Sequence, residues 1–362
     1  MIKTLLLAAA FASLASAQKI AGGPLVVNVG TRTATVVWLV EDDRVTLQPS
    51  AGGATRTTPA FRVEKTTFTA LQPNTQYDFN VTGQESGKGS FKTALQGAGA
   101  YNFVVYGDSR TRHDVHRKVI QELLKQGMPD FVVNTGDQTE DAADNSLWPM
   151  FFDIERELLR HAAFYPSLGN HEHNSRNYYD YFQAAKPYYS FDWGNAHFTV
   201  INSDLGNVGS TKVEKDAFWS EQTQWLEEDL KTHQNAAFRF VAGHHAPFTA
   251  VARRQGDNPH MIALVPMFEK YRVTAGLFGH DHNYQHYLKD GIHYLVSGGM
   301  GAPLYDVDKP PAGITQKVAS IENFIKVSVE GAVAHVKVVA IDGSTLEAFD
   351  IQGAAAAAAG AK

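Results

Sequence analysis

The sequence predicts an α/β domain preceded by a small all-β sandwich, and three observations predict it. From Gln18 to about Gly97, short apolar strands alternate with turn residues. After Ala98 the pattern changes to strand, loop and helix in alternation, which specifies a layered α/β domain with a largely buried central sheet. Five of the later strands then run into a glycine at or beside a side chain able to bind metal. Composition permits this fold: 44% hydrophobic and 19% charged residues exclude a disordered polymer, and the net charge of −6 excludes a basic nucleic-acid binder. The chain has 0 cysteines, so disulfides, thiolate metal sites and a cysteine nucleophile are all excluded.

Residues 1–17 read as Lys3, an apolar run from Leu5 to Leu14, and Ala15-Ser16-Ala17, the pattern of a cleavable export signal. The run is well short of the roughly 20 residues that span a bilayer. The expectation is a secreted or periplasmic protein with no stable membrane insertion. In segment 18–98, Ala34, Val36, Trp38 and Val40 alternate with Thr35, Val37 and Leu39, the period of a strand with one face inward. Tyr77, at the corner after Leu71-Gln72-Pro73-Asn74, is placed to hydrogen-bond backbone upstream of it. The segment resembles a fibronectin type III-like module.

The domain proper is expected over 99–352. Its strands are read at 103–106, 131–133, 164–165, 198–201, 238–242, 275–278 and 294–296, with a β-rich stretch at 324–329 and 334–341 completing the sheet. Val115, Val119, Ile120, Leu123 and Leu124 recur at helical spacing, as do Phe218, Trp225, Leu226 and Leu230. Residues 353–362, with 6 consecutive alanines, read as an unpacked tail.

The five strand-end motifs are Gly107-Asp108, Gly136-Asp137, Gly169-Asn170-His171, Gly243-His244-His245 and Gly279-His280-Asp281-His282. Ligands of open α/β sheets sit at the carboxyl ends of the strands, so these motifs can converge on one crevice, and glycine before each ligand lets the backbone turn. Oxygen and imidazole donors suit zinc, manganese and iron. One carboxylate can bridge two such ions about 3.5–4 Å apart, the arrangement that supports in-line phosphoryl transfer.

The ordered motifs GD, GD, GNHE, a strand ending in His, and GHDH resemble the calcineurin-like metallophosphoesterases, within them the purple acid phosphatase branch. Tyr188-Tyr189-Ser190-Phe191-Asp192-Trp193-Gly194-Asn195-Ala196-His197-Phe198 and Gly298-Gly299-Met300-Gly301-Ala302-Pro303 look like further segments of that branch. The resemblance implies a four-layer α/β/β/α metallophosphoesterase domain, an N-terminal sandwich of the kind many members carry, and two metal ions (Fe, Zn or Mn). It implies Asp108 and His282 on the first ion, Asp137 bridging, Asn170, His244 and His280 on the second, and His171 protonating the leaving oxygen of a small-molecule phosphoester. His244 is preferred to His245 because the strand and its glycine lead into it.

Two positions depart from the pattern. The family's usual first-metal ligand is absent because Arg110 stands in its place, and the tyrosine that replaces it in the purple branch is here Glu140. His116, His113 and Glu140 are in reach as a substitute. His116 is placed first because it lies on the helical face of Val119 and Ile120, with water as the alternative. Arg110 is expected to meet a phosphate oxygen. Tyr178, Tyr179, Tyr181, Phe182, Tyr188 and Tyr189 are read as core and rim packing, Arg253-Arg254 as a solvated pair, and His173 as a surface residue. Phosphomonoester hydrolysis is the first expectation, phosphodiester hydrolysis the second, and a non-catalytic binding protein of the same fold the third.

Overall fold

A computed structural model describes residues 19–81 and 87–354; the expected export signal and the alanine tail beyond Ala354 lie outside the described residues. The N-terminal segment holds β1 (Ile20–Val27), β2 (Ala34–Leu47) and β3 (Arg56–Phe68), then a ribbon of β4 (Gln76–Asn80) and β5 (Lys88–Lys92). Next come β6 (Ala100–Tyr106), β7 (Phe131–Asn134), β8 (Ala163–Pro166), β9 (Tyr189–Trp193), β10 (Ala196–Val200), β11 (Phe238–Ala242) and β12 (Ala275–Phe278). The last strands are β13 (Tyr284–Lys289), β14 (Ile292–Ser297), β15 (Thr315–Ala319), β16 (Asn323–Glu330), β17 (Val333–Ala340) and β18 (Thr345–Gln352). One sheet has the order β18-β17-β16-β6-β7-β8-β1-β2-β3 and the other β15-β13-β14-β12-β11-β10-β9.

The four expected layers follow from how each strand divides its side chains. In β6, Phe103 and Val105 enter a core between the two sheets, while Val104 and Tyr106 face helices on the other side. Both faces are buried, so the parallel strands read as continuous apolar runs. Between the sheets, Phe103, Phe131, Phe198 and Phe240 pack with ring centroids 4.9–5.6 Å apart. The first sheet's outer face is covered by α1 (His113–Lys125), α2 (Trp148–Ile154), α3 (Arg156–Leu159) and α4 (Arg176–Phe182). The second is covered by α5 (Lys212–Thr232), α6 (Pro259–Ile262) and α7 (Val265–Lys270).

The N-terminal segment is all-β as expected, and Tyr77 does accept a hydrogen bond from the Gln72 N–H, 2.9 Å away. Its attachment is closer than the sequence indicated. Strand β1 pairs in parallel with β8 at Val26 and Ala163, so β1–β3 continue the first sheet. Val26 and Val36 join the core between the sheets, and Leu25, Val27, Val37 and Leu39 join the helix-covered core, so the segment shares both cores of the larger domain.

A clamp centred on buried His197 and Asp229, with exposed Asp192 on its outer side, ties β9 and β10 to α5. His197 Nδ1 lies 2.7 Å from Asp192 Oδ1 and its Nε2 lies 2.9 Å from Asp229 Oδ2. A carboxylate on each nitrogen selects the imidazolium. Burial opposes the charge, but Asp192 and Asp229 outweigh it and the histidine pKa is raised, while both carboxyls are lowered. The histidine's contribution to stability is complete below 6.5 and fades as pH rises through its raised pKa; the carboxylates' contribution fades as pH falls below 3.8. His197→Gln should therefore cost about 1–2 kcal/mol between those limits, since solvent screens the Asp192 pair, and the gap from wild type in denaturant titrations should narrow at alkaline pH. A pH-independent gap would show that the clamp is not charged.

Candidate metal centre

All five motifs stand at the carboxyl ends of strands: Asp108 after β6, Asp137 after β7, Asn170 after β8, His244 after β11 and His280 after β12. The expected turning role of the preceding glycines needs correction. Only Gly136 among them has positive φ, 101°, whereas three of the ligand-type residues carry the strain themselves: Asp108 at 65°, Asp137 at 58° and His280 at 68°. What the glycines supply is room. A Cβ on Gly279 would sit 2.6 Å from Asp108 Oδ2, and one on Gly169 would collide with the Asp137 carboxylate.

On one side of the centre, His244 Nε2 lies 3.1 Å from Asn170 Oδ1, 3.4 Å from Asp137 Oδ1 and 3.2 Å from His280 Nδ1. His280 Nδ1 lies 3.1 Å from the same Asn170 oxygen. On the other side, His282 Nε2 lies 3.5 Å from Asp108 Oδ1. Atoms each about 2.1 Å from one ion are roughly 3.0–3.4 Å apart, so these are the separations of a coordination shell.

Tautomers sharpen the fit. His244 Nδ1 sits 2.7 Å from the Thr135 carbonyl and His282 Nδ1 2.7 Å from the Pro303 carbonyl. A carbonyl only accepts, so each Nδ1 carries a hydrogen and Nε2 is the nitrogen left to face the carboxylate oxygens and bind an ion. Asp108 Oδ1 is buried without a hydrogen-bond partner among the described residues, the mark of an acceptor awaiting a cation. Burial, then neighbouring histidines, push His280 and His245 well below the usual imidazole range, which favours the neutral ring that His280 would need as a ligand. The donor set therefore fits divalent or trivalent ions.

His171 donates Nδ1–H to the Glu140 carbonyl at 2.7 Å and turns Nε2 to within 3.9 Å of Asp137 Oδ2, at the mouth of the centre. His245 packs against His280 with ring centroids 4.0 Å apart, beside the shell. His116 is placed elsewhere than expected: its Nε2 lies 2.8 Å from Glu155 Oε1, and Glu155, fully buried, also accepts from Tyr106 at 2.7 Å. The structure thus gives that nitrogen to a buried carboxylate and not to Asp108 and His282. His113 is exposed at the start of α1, and His173 is exposed. Glu140 forms an ion pair with Arg110, whose Nε lies 3.6 Å from Asp137 Oδ2. A cavity of about 300 Å³ opens here, lined by Arg110, Thr111, His113, His116, Thr139 and Glu140.

Three supporting residues carried no expectation or the wrong one. Glu172, fully buried, accepts backbone N–H from Asp137 at 2.7 Å, Gln138 at 2.9 Å and Gly169 at 2.6 Å, fastening the second and third motifs together. Ser203 Oγ accepts from the backbones of His244 and His245. Arg254 is not solvated: it bonds the His280 carbonyl at 3.0 Å and Asp281 at 3.2 Å and stacks over Tyr305, against which His282 also packs. The tyrosine cluster is packing, since Tyr178 and Tyr189 both donate to the Pro166 carbonyl and Tyr178, Tyr181 and Phe182 fill the helix-covered core.

Two facing sheets with helices outside, delivering Asp, Asn and His to one point at their strand ends, define the metallophosphoesterase fold. The chain belongs to the calcineurin-like phosphoesterase family, whose model matches residues 101–284. Among curated proteins it is 29% identical over 217 residues to tartrate-resistant acid phosphatase type 5 of Mus musculus, covering 52% of this chain and 65% of that one. It is 24% identical to acid phosphatase type 7 of Homo sapiens, covering 72% of this chain and 64% of the relative. The match thus spans a little under two thirds of each relative's length. Among solved structures, a purple acid phosphatase from yellow lupin seeds superposes with a TM-score of 0.70 at 15% identity, covering 91% of this chain and 74% of that chain. PhoD superposes at 0.66 and 13% identity, covering 94% and 91%.

Proposed function

We propose that this protein is an exported, dinuclear metal-dependent phosphomonoesterase acting on small-molecule phosphoesters. The observation that carries the proposal is the meeting of Asp137, Asn170, His244 and His280 donor atoms at 3.1–3.4 Å, with an unpartnered Asp108 oxygen facing His282 beside them. Two relatives named as acid phosphatases support the substrate class. The export signal at 1–17 supports a secreted or periplasmic location, and no helix among the described residues is long and apolar enough to cross a membrane.

Asp108, Asp137 and His282 would hold one ion and Asp137, Asn170, His244 and His280 the other. Bound ions supply Lewis acidity and a positive clamp for in-line displacement at phosphorus. The chain supplies the rest. His171, oriented by the Glu140 carbonyl, presents Nε2 to protonate the leaving oxygen, a role that contributes about 10²–10⁴-fold. The Arg110 guanidinium, beside Asp137, is positioned to bind a phosphoryl oxygen. Comparing specificity constants for a chromogenic phosphomonoester and its bis-ester tests the reading: the monoester should be preferred. A preference for the bis-ester would establish a phosphodiesterase, and turnover of neither with excess zinc, manganese or iron would leave a binding protein of this fold.

A further inference from the structure

We propose that the two halves of the centre hold their ions unequally: the Asp137, Asn170, His244 and His280 half retains its ion, while the Asp108, Asp137 and His282 half releases its ion readily because Arg110 is set against it. The inference rests on the dinuclear reading above and concerns how that centre is filled.

The two halves differ in donors. Around His244 Nε2, three further protein donors lie within 3.4 Å. Around Asp108 Oδ1, His282 Nε2 lies at 3.5 Å; the ligand atoms of Asp108, Asp137 and His244 come within 4.8 Å of one another, but His244 already serves the other half, so Asp137 must contribute the third atom. The positions that would add a fourth carry Arg110 and Glu140, and these pair with each other instead. His116, the imidazole placed first as a substitute ligand, is held by Glu155.

The halves also differ in charge. Arg110 Nε approaches Asp137 Oδ2 to 3.6 Å, whereas Asp137 Oδ1 is the oxygen turned to His244. A guanidinium cannot shed its proton at any ordinary pH. Its side chain is only 13% exposed, so its repulsion of an ion on the Oδ2 side is poorly screened. Glu140 offsets that charge incompletely, because its own side chain is 48% exposed and solvated. Fewer donors and a fixed like charge act in the same direction. The Asp108 oxygen stays buried and unpartnered, so this half still attracts a cation, but weakly.

Full-length protein loaded with excess zinc or manganese and dialysed into metal-free buffer gives the test, with ions per chain measured by mass spectrometry. Wild type should retain one ion, and Arg110→Met should retain close to two, with affinity for the second tightened about tenfold or more. His280→Ala should lose the retained ion, whereas His282→Ala should keep it; this pair decides the matter if Arg110→Met does not fold. Two ions kept by wild type, or an Arg110→Met variant that loses its second ion as readily, would overturn the inequality. No ion retained, with none rebound in excess metal, would instead overturn the dinuclear reading on which it rests.

Discussion

Asp137→Asn should slow phosphoester hydrolysis by about 10³-fold or more while raising the stability of the metal-free protein above about pH 8. Its two effects have one cause. In the proposed centre Asp137 would be shared between the two ion positions; its Oδ1 faces His244 and its Oδ2 faces His171 and Arg110. Removing its charge weakens both positions, and the several kcal/mol that a bound ion contributes to a transition state corresponds to a rate loss of about this size. The backbone should not confound the result, because Asn is among the residues that best tolerate the left-handed conformation of φ 58° found here. The Asn side-chain oxygen can also still accept the His171 N–H, now 3.0 Å from Oδ1. In the metal-free protein Asp137 lies against buried Glu172, whose pKa is pushed up to about 8 by burial first and by Asp137 second. Above that pH Glu172 ionises against Asp137, and removing the Asp137 charge relieves the repulsion. The midpoint of thermal unfolding in chelator above about pH 8 should therefore rise in the variant even as activity and ion retention collapse. A fall in both would mean that Asp137 acts as a structural residue and that its charge is tolerated without metal.

Much of this centre was legible because metal chemistry restricts residue types and the fold restricts where they stand. The strands ending at Tyr106, Asn134, Ala242 and Phe278 are buried on both faces, so their apolar runs stand out and their ends point to Asp108, Asp137, His244 and His280. Strands β13 and β15 gave no such signal: β13 reads Tyr-Gln-His-Tyr-Leu-Lys, and its Gln285 and His286 are buried only because Asp281, Asn283, Glu347 and His293 satisfy them. The placement of His116 was illegible for the same reason. Helical spacing located its face, but Glu155, 39 residues away and itself unremarkable in sequence, decided its partner. The joining of β1 to β8 depends on a pairing across more than 130 residues, which no local pattern encodes. Glu172 stood inside a quoted motif, yet its role appears only when the three N–H groups it gathers are seen to come from two separate loops.

Glu172→Gln should lower the unfolding free energy by about 2–4 kcal/mol and reduce turnover by about 10²-fold without removing any group that touches substrate. The carboxylate uses both oxygens: Oε2 accepts from Asp137 and Gly169, and Oε1 accepts from Gln138. Glutamine has one acceptor oxygen. If it keeps the Oε2 pair, its NH₂ faces the Gln138 N–H, and a buried donor is left without an acceptor. If it flips, two donors are left. The neutral side chain also loses the charge-assisted part of each remaining bond. Because the Asp137 and Gly169 backbones belong to the two loops that aim the Asp137 carboxylate and Asn170, a displacement of a few tenths of an ångström there would misdirect the donors proposed for both ions. Opposing this loss is the relief of repulsion between Glu172 and Asp137, the effect invoked above for Asp137→Asn. The two contributions separate experimentally. In metal-loaded protein the ions screen Asp137, so the lost hydrogen bonds should dominate and the midpoint of thermal unfolding should fall. In chelator above about pH 8, where Glu172 ionises, the relief should recover part of the difference. A Glu172→Gln protein as stable as wild type when metal-loaded, with its ions and turnover intact, would show that the three N–H bonds do not hold the second and third motifs in register.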